Sequence, residues 1–258
     1  MKRTKFLTLI IITAFAISCS DSSTSPGSTD LQGTLTMSVT DSYVDIESLI
    51  IQIGEIAIHK DSEWIVMDSV DHTIDLLDYN NGDVFELFSE NLESGHYNQV
   101  RLMIDTAEIT YQGSVYDLTI PGSWNTGLKL VNAFDISEGT ETSLILDFDV
   151  SKLVHITNQH NSLTFVMKPT IRILEETETG RIRGEITNLD TTATAYAISG
   201  SDTVAVSPVK PSGIFVLAFL PAGDYSVHVE DVNGLIYDNS SVAVVNRQTT
   251  DLGQIEIQ

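Results

Sequence analysis

Apolar residues in this chain recur at every second position in short runs, and rarely at the three-to-four spacing of a helix face. That period places alternate side chains on opposite faces of an extended strand, so the chain is built to half-bury sheets. Leu35-Thr36-Met37-Ser38-Val39 alternates, and so does 49–58, where Leu49, Ile51 and Ile53 fall on one face and Ile50 and Ile56 on the other. Further runs lie at 65–67, 73–77, 100–104, 107–111, 115–120, 144–150 and 163–174. Turn-forming residues separate them: Asn81-Gly82-Asp83, Glu93-Ser94-Gly95, Gln112-Gly113, Pro121-Gly122 and Glu138-Gly139. Segments 41–48 and 84–89 fit neither period. Many short strands at this spacing predict a sandwich or barrel.

A break falls at Glu175-Glu176-Thr177-Glu178-Thr179-Gly180, an acidic run of small residues between two apolar strands. Beyond it, seven runs (181–187, 194–199, 203–206, 214–220, 225–230, 240–245 and 252–257) crowd into one short segment. The expected organisation is all-β, with two β-sandwich domains in tandem at 31–174 and 181–258 and a linker at 175–180. Lengths of about 145 and about 80 residues each suffice for an independent core. No internal repeat connects the two.

The N-terminus carries Lys2, Arg3 and Lys5, an apolar stretch over 6–17, small Ser18, and then Cys19, the only cysteine in the chain. The stretch is short of the roughly 20 residues that cross a bilayer. Ala16-Ile17-Ser18-Cys19 resembles a bacterial lipoprotein signal box. The resemblance implies a cleaved signal peptide over 1–18 and lipid attachment at Cys19, with palmitate-type acyl chains that partition into the membrane. Residues 19–30 are small, polar and punctuated by Pro26 and Gly27, the composition of a flexible tether. Ser20 follows the cysteine where an Asp would resemble an inner-membrane retention signal. The expectation is therefore a bacterial cell-envelope protein held at the outer membrane.

The formal net charge is −23, and loss of Lys2, Arg3 and Lys5 with a leader lowers it to about −26. Such a surface opposes nucleic acid and anionic lipid, which need clustered Lys and Arg. The partners expected are the membrane, through the anchor, and an envelope protein or glycan. With one cysteine, disulfides within the chain are excluded and stability must come from burial.

Two resemblances follow from longer phrases. Gly33-Thr34-Leu35-Thr36-Met37-Ser38-Val39-Thr40-Asp41, Ile74-Asp75-Leu76-Leu77, Gly95-His96-Tyr97-Asn98-Gln99-Val100-Arg101-Leu102, Leu144-Ile145-Leu146-Asp147-Phe148-Asp149-Val150 and Lys168-Pro169-Thr170-Ile171-Arg172 together resemble the bacterial domain of unknown function 4382 over about 31–174. That family brings no activity and no catalytic residues with it. Gly180-Arg181-Ile182-Arg183-Gly184-Glu185-Ile186, Ala195-Tyr196-Ala197 and the segment from Ser212 through Pro221-Ala222-Gly223-Asp224-Tyr225 to Val227 resemble a transthyretin-like, carboxypeptidase-regulatory domain. Phe215, Leu217 and Phe219 would share one strand face there. The resemblance implies a spacer or scaffold. A related surface-protein fold carries a Lys–Asn isopeptide bond, but the opening strand offers Arg181 and Arg183 and no lysine, so no such bond is expected.

Candidate site residues are few. In 100–104 the even positions are apolar, which puts Arg101 on the polar side with Tyr97 and Gln99. In 144–150, Asp147 and Asp149 project opposite Leu144, Leu146, Phe148 and Val150. Arg101 is therefore expected to pair with Asp147 or Asp149 across neighbouring strands, or all three are separately solvated. Asp147 and Asp149 are also the candidates for a metal site, since two carboxylates on one strand face can share a hard cation. Asp78-Tyr79-Asn80-Asn81-Gly82-Asp83 resembles a calcium loop, but Gly82 falls one place early and Ser89 stands where the closing Glu belongs, so a polar hairpin turn is expected.

The six histidines form no metal-ligand pair, and His155 and His160 fall in a segment read as loop. No nucleophile elbow or phosphate-cradling glycine loop occurs, so no catalytic residues and no cofactor are assigned. Trp64, Trp124, Tyr111 and Tyr116 lie near turns, where they would cap a sandwich core or stack on sugars. The expected role is non-enzymatic binding or structure in the envelope. Two rivals stay open: an envelope enzyme acting on glycans through acidic residues, and a surface assembly subunit joined by strand addition.

Overall fold

The structure, a computed structural model, describes residues 31–41, 46–120, 126–150, 154–159, 162–167 and 170–258. Cys19 and its leader, Trp124, and the Pro121-Gly122 and Lys168-Pro169 pairs lie outside the described residues. The chain is all-β, as its alternation predicts.

The first sandwich is made of β1 (Gln32–Asp41), β2 (Ser48–Lys60), β3 (Glu63–Asp68), β4 (His72–Asp75), β5 (Phe85–Glu93), β6 (Gly95–Tyr111), β7 (Ser114–Thr119), β8 (Leu128–Ile136), β9 (Glu141–Phe148), β10 (Val154–Gln159), β11 (Ser162–Met167) and β12 (Ile171–Glu175). A four-stranded sheet runs β12-β9-β1-β5. An eight-stranded sheet runs β10-β11-β7-β6-β2-β3, with β4 added to β2 and β8 to β6. β1 pairs antiparallel with β5 but parallel with β9, so the four-stranded sheet is mixed. The core between the sheets is filled by Leu35 and Met37 of β1, Leu49, Ile51 and Ile53 of β2, Val100 and Leu102 of β6, and Leu144, Leu146 and Phe148 of β9.

The second sandwich is made of β13 (Thr179–Ile186), β14 (Ala193–Ser199), β15 (Asp202–Pro208), β16 (Ile214–Pro221), β17 (Gly223–Asp231), β18 (Ile236–Val244) and β19 (Thr249–Ile255). Its sheets run β16-β13-β19 and β15-β14-β17-β18. Ile182, Phe215, Leu217, Leu220, Val227 and Val229 form a separate core. Between the sandwiches, 175–180 holds the end of β12, a 3-10 turn at Glu176–Glu178 and the start of β13.

β-Bulges account for the places where simple alternation misleads. An extra residue in one strand reverses the facing of every side chain beyond it. The β2–β6 register shifts around Gly54, and Ile56 turns into the core beside Ile51 rather than away from it. Gly54 leaves room there for the Asp105 carboxylate, which a Cβ would strike. The β6–β8 register shifts between Tyr97 and Gln99, so Tyr97 points inward, fully buried, instead of sharing Arg101's face. In β16 the shift opposite Arg181 puts Leu220 in the second core, while Phe219 leaves the Phe215–Leu217 face.

Other differences are simpler. The 100–104 and 107–111 runs fuse into one long β6, and 163–174 divides between β11 and β12, which belong to different sheets. Segment 154–159, expected to be loop, is strand β10. β8 keeps the two-residue period, with Leu128, Leu130, Phe134 and Ile136 on one face, but Asn132 interrupts its apolar series.

Both sandwiches use one local device. After a Gly-x-Tyr segment the phenol reaches back to a carbonyl four residues upstream: Tyr97 Oη donates to Glu93 O at 2.7 Å, and Tyr225 Oη donates to Pro221 O at 2.8 Å. A register shift follows each tyrosine directly. This is the tyrosine-corner arrangement of sandwich folds.

Candidate functional site at the joint between the sandwiches

The outer face of the four-stranded sheet meets the edges of β15 and β16. Asp147 projects from β9 onto that face and Arg172 stands beside it on β12. Arg172 Nε donates to Asp147 Oδ2 at 3.0 Å, and Arg172 Nη2 also reaches that oxygen. The same Nη2 donates to Val204 O of β15 at 3.1 Å, so one guanidinium ties both sandwiches. Asp147 is 3% exposed. Its face reads as polar in the sequence but is covered by the second sandwich.

The Asn81-Gly82 turn makes the second tie. Asn81 Oδ1 accepts the Val216 N–H at 3.0 Å, and Asn81 Nδ2 donates to Pro208 O at 3.1 Å. Pro208 ends β15 and Val216 lies in β16, the edge strands of the two sheets of the second sandwich. The Asn81 amide therefore bridges an open seam as a backbone group would, satisfying a donor and an acceptor that edges leave bare. Asn81 and Gly82 both have positive φ, 57° and 83°. Asparagine and glycine tolerate that conformation best. A Cβ on Gly82 would sit 3.2 Å from Ala218 Cβ, so the turn seats closely. Lys210 and Asp83 add an exposed ion pair at 3.5 Å. Thr40, Asp147 and Arg172 on one side and Ala205, Val216 and Phe219 on the other enclose only about 20 Å³, room for about one water.

Burial pushes the Tyr225 phenol above its ordinary pKa, although Arg172 pulls the other way. Tyr97 is raised by burial as well, against Lys60. Burial alone would raise the Asp68 carboxyl, but hydrogen bonds from His72 and the Val70 N–H outweigh it and hold the group below its ordinary value.

Several expectations need correction. Arg101 pairs with neither Asp147 nor Asp149, because β6 and β9 belong to different sheets. It bonds Glu55 at 2.8 Å on neighbouring β2, and its guanidinium lies 4.7 Å from the Trp64 ring. Asp149 is 6% exposed, and its N–H donates to Thr170 O. Asp147 pairs with Arg172, and no group of three or more metal-ligating side chains gathers among the described residues. The 78–83 segment is not a hairpin, since it carries the chain from β4 in one sheet to β5 in the other. Tyr111 and Tyr116 pack on buried Phe165, with ring centroids at 5.8 and 4.7 Å, and cap the core. Neither Asn81 nor Arg172 stands out in the sequence by residue type. The asparagine–glycine pair is the one local cue, and it fits an ordinary turn equally well.

The family model of a domain of unknown function, DUF4382, matches residues 32–169. A comparison with curated protein sequences finds no match. Among solved structures, the TIE protein of Bacillus anthracis is 14% identical, with 88% of this chain and 34% of that chain covered and a TM-score of 0.25. The minor pilin GBS52 of Streptococcus agalactiae is 11% identical, with coverage of 87% and 95% and a TM-score of 0.21. A fimbrial protein of Bacteroides ovatus is 5% identical, with coverage of 88% and 50% and a TM-score of 0.23. The chain thus spans about a third of the length of the Bacillus anthracis protein.

Proposed function

The chain belongs to the DUF4382 family, and we propose that it is a lipid-anchored cell-envelope protein with a non-enzymatic binding or structural role. Cys19 carries the acyl chains, residues 19–30 give reach, and the two sandwiches are displayed as one body. The observation that supports the structural role is the use made of Asp147. A carboxylate that an acid–base catalyst would keep available is buried under Arg172, in a contact that fastens one sandwich to the other. The transthyretin-like resemblance of 181–258 agrees with a scaffold role. The outer membrane is the proposed location.

The test is the mature N-terminus. The intact precursor is expressed in a lipoprotein-processing bacterium and analysed by mass spectrometry, alongside Cys19→Ala. The reading expects a diacyl- or triacylglyceryl mass on Cys19 and loss of membrane association in the variant. An unmodified N-terminus, or membrane retention of Cys19→Ala, would overturn it.

A further inference from the structure

Beside the joint lies a cleft of about 290 Å³ lined by Glu176, Thr177, Arg181, Phe219, Arg247 and Thr249, together with Thr179, Gly180 and Gln248. It forms because the turn after β18 descends onto Gly180. A Cβ at that position would strike Val245 O and lie 2.8 Å from Val244 Cγ1 and 3.1 Å from Gln248 O. Arg247 N donates to Thr179 O at 2.6 Å and Arg181 N to Gln248 O at 3.0 Å, fixing the two walls together.

Two observations set this cleft apart. The first is its charge. Lys60, Arg101, Arg172, Arg183 and Lys210 each pair with a carboxylate, and Lys129 lies over the Trp64 ring. Among the described residues, Arg181 and Arg247 are the lysine or arginine side chains left with no such partner, and both line this one cleft. In a chain with 36 acidic and 13 basic residues, partners are abundant, so two exposed arginines that line one cleft without a carboxylate leave a place for an anion from outside. The carboxylate of Glu176, the acidic lining residue, accepts the Ser143 hydroxyl at 2.9 Å.

The second observation is the backbone. Phe219 and Arg247 have φ of 53° and 60°, left-handed conformations that side-chain-bearing residues adopt at a cost. Such conformations cluster at ligand clamps, held by the surrounding fold. Here the bulge at Phe219 lies opposite Arg181, and the turn at Arg247 carries the second guanidinium to the same opening.

We propose that the Arg181–Arg247 cleft binds an acidic sugar residue, a hexuronic acid within an anionic glycan. The guanidiniums take the carboxylate, bidentately where geometry allows. Gln248 and Thr249, whose side chains make no hydrogen bond among the described residues, take ring hydroxyls. The volume sits at the lower bound of about 300 Å³ for small-molecule sites, which suits a single ring rather than a long oligosaccharide. The proposal is independent of the anchor at Cys19.

The test is calorimetric titration of the purified protein with galacturonate, galactose and inorganic phosphate. The expected result is saturable galacturonate binding, at least about tenfold tighter than either comparison compound and weakened at least about tenfold in Arg181→Gln and in Arg247→Gln. Arg183→Gln, which disturbs an ion pair with Asp251 outside the cleft, leaves binding unchanged. Galactose binding equal to galacturonate, phosphate binding as tightly, or no saturable galacturonate binding would each overturn the proposal. So would full binding by both arginine variants when circular dichroism shows them folded.

Discussion

Replacing Arg172 by Met tests the joint where the guanidinium meets buried Asp147. The change keeps length and apolar bulk but removes the guanidinium that contacts Asp147 and Val204 O. Asp147, 3% exposed, then loses the guanidinium that Arg172 holds against it. Breaking a buried pair by deleting one partner costs about 3–5 kcal/mol. Arg172 is 33% exposed at its side chain, so water can partly replace it, and the expected loss falls to about 2–4 kcal/mol. Equilibrium urea unfolding measures this. The intact protein should unfold in one transition, because the joint couples the two cores. Arg172→Met should lower the midpoint and split the curve, with the 179–258 sandwich separating from the first. Adding Asp147→Asn to the variant should recover at least half of the loss, since the carboxylate that faced the guanidinium is then neutral. A loss below about 0.5 kcal/mol, the range of an ordinary surface substitution, with a single transition would rule out a buried tie at Arg172.

Asn81→Gly keeps a residue suited to positive φ but removes both side-chain hydrogen bonds across the β15–β16 seam; it should cost about 1–3 kcal/mol and raise amide exchange at Val216, read by hydrogen-exchange NMR. Tyr97→Phe leaves Glu93 O without its phenol donor and should cost about 1–2 kcal/mol by urea unfolding. Because burial raises the Tyr97 pKa, the stability linked to the neutral phenol is intact below the ordinary value of about 10 and is lost as pH rises past it; Tyr97→Phe should flatten that alkaline loss. Asp68 has the opposite sign. Its lowered pKa gives stability that is present above the ordinary carboxylate value of about 3.9 and disappears as pH falls, so Asp68→Asn should flatten the acid limb of a Tm-against-pH series.

The strands were legible in the sequence because period-two alternation is enforced wherever a sheet buries one face. All seven runs beyond the acidic break coincide with strands. What alternation could not carry was phase. Ile56, Tyr97 and Phe219 each lie next to a bulge and face opposite to the simple reading. A bulge depends on the register of the partner strand, which no local window contains. The site was less legible for a related reason. Asp147 sits on a face that alternation marks as polar, and only the second sandwich makes that face an interior. Arg172, which pairs with it, lies 25 residues along the chain on the neighbouring strand of the same sheet, and not on β6 where matching charges suggested a partner. Arg181 was conspicuous in the opening strand of the second unit, but that its guanidinium shares a cleft with Arg247 follows from the descent of one turn onto Gly180.

Arg172 and Asn81 pin the two sandwiches so that they move as one body. Amide residual dipolar couplings of the purified protein in a weakly aligning medium test it directly. Couplings from the first sandwich and from β13 to β19 should fit a single alignment tensor. Two tensors of clearly different magnitude or orientation would contradict it.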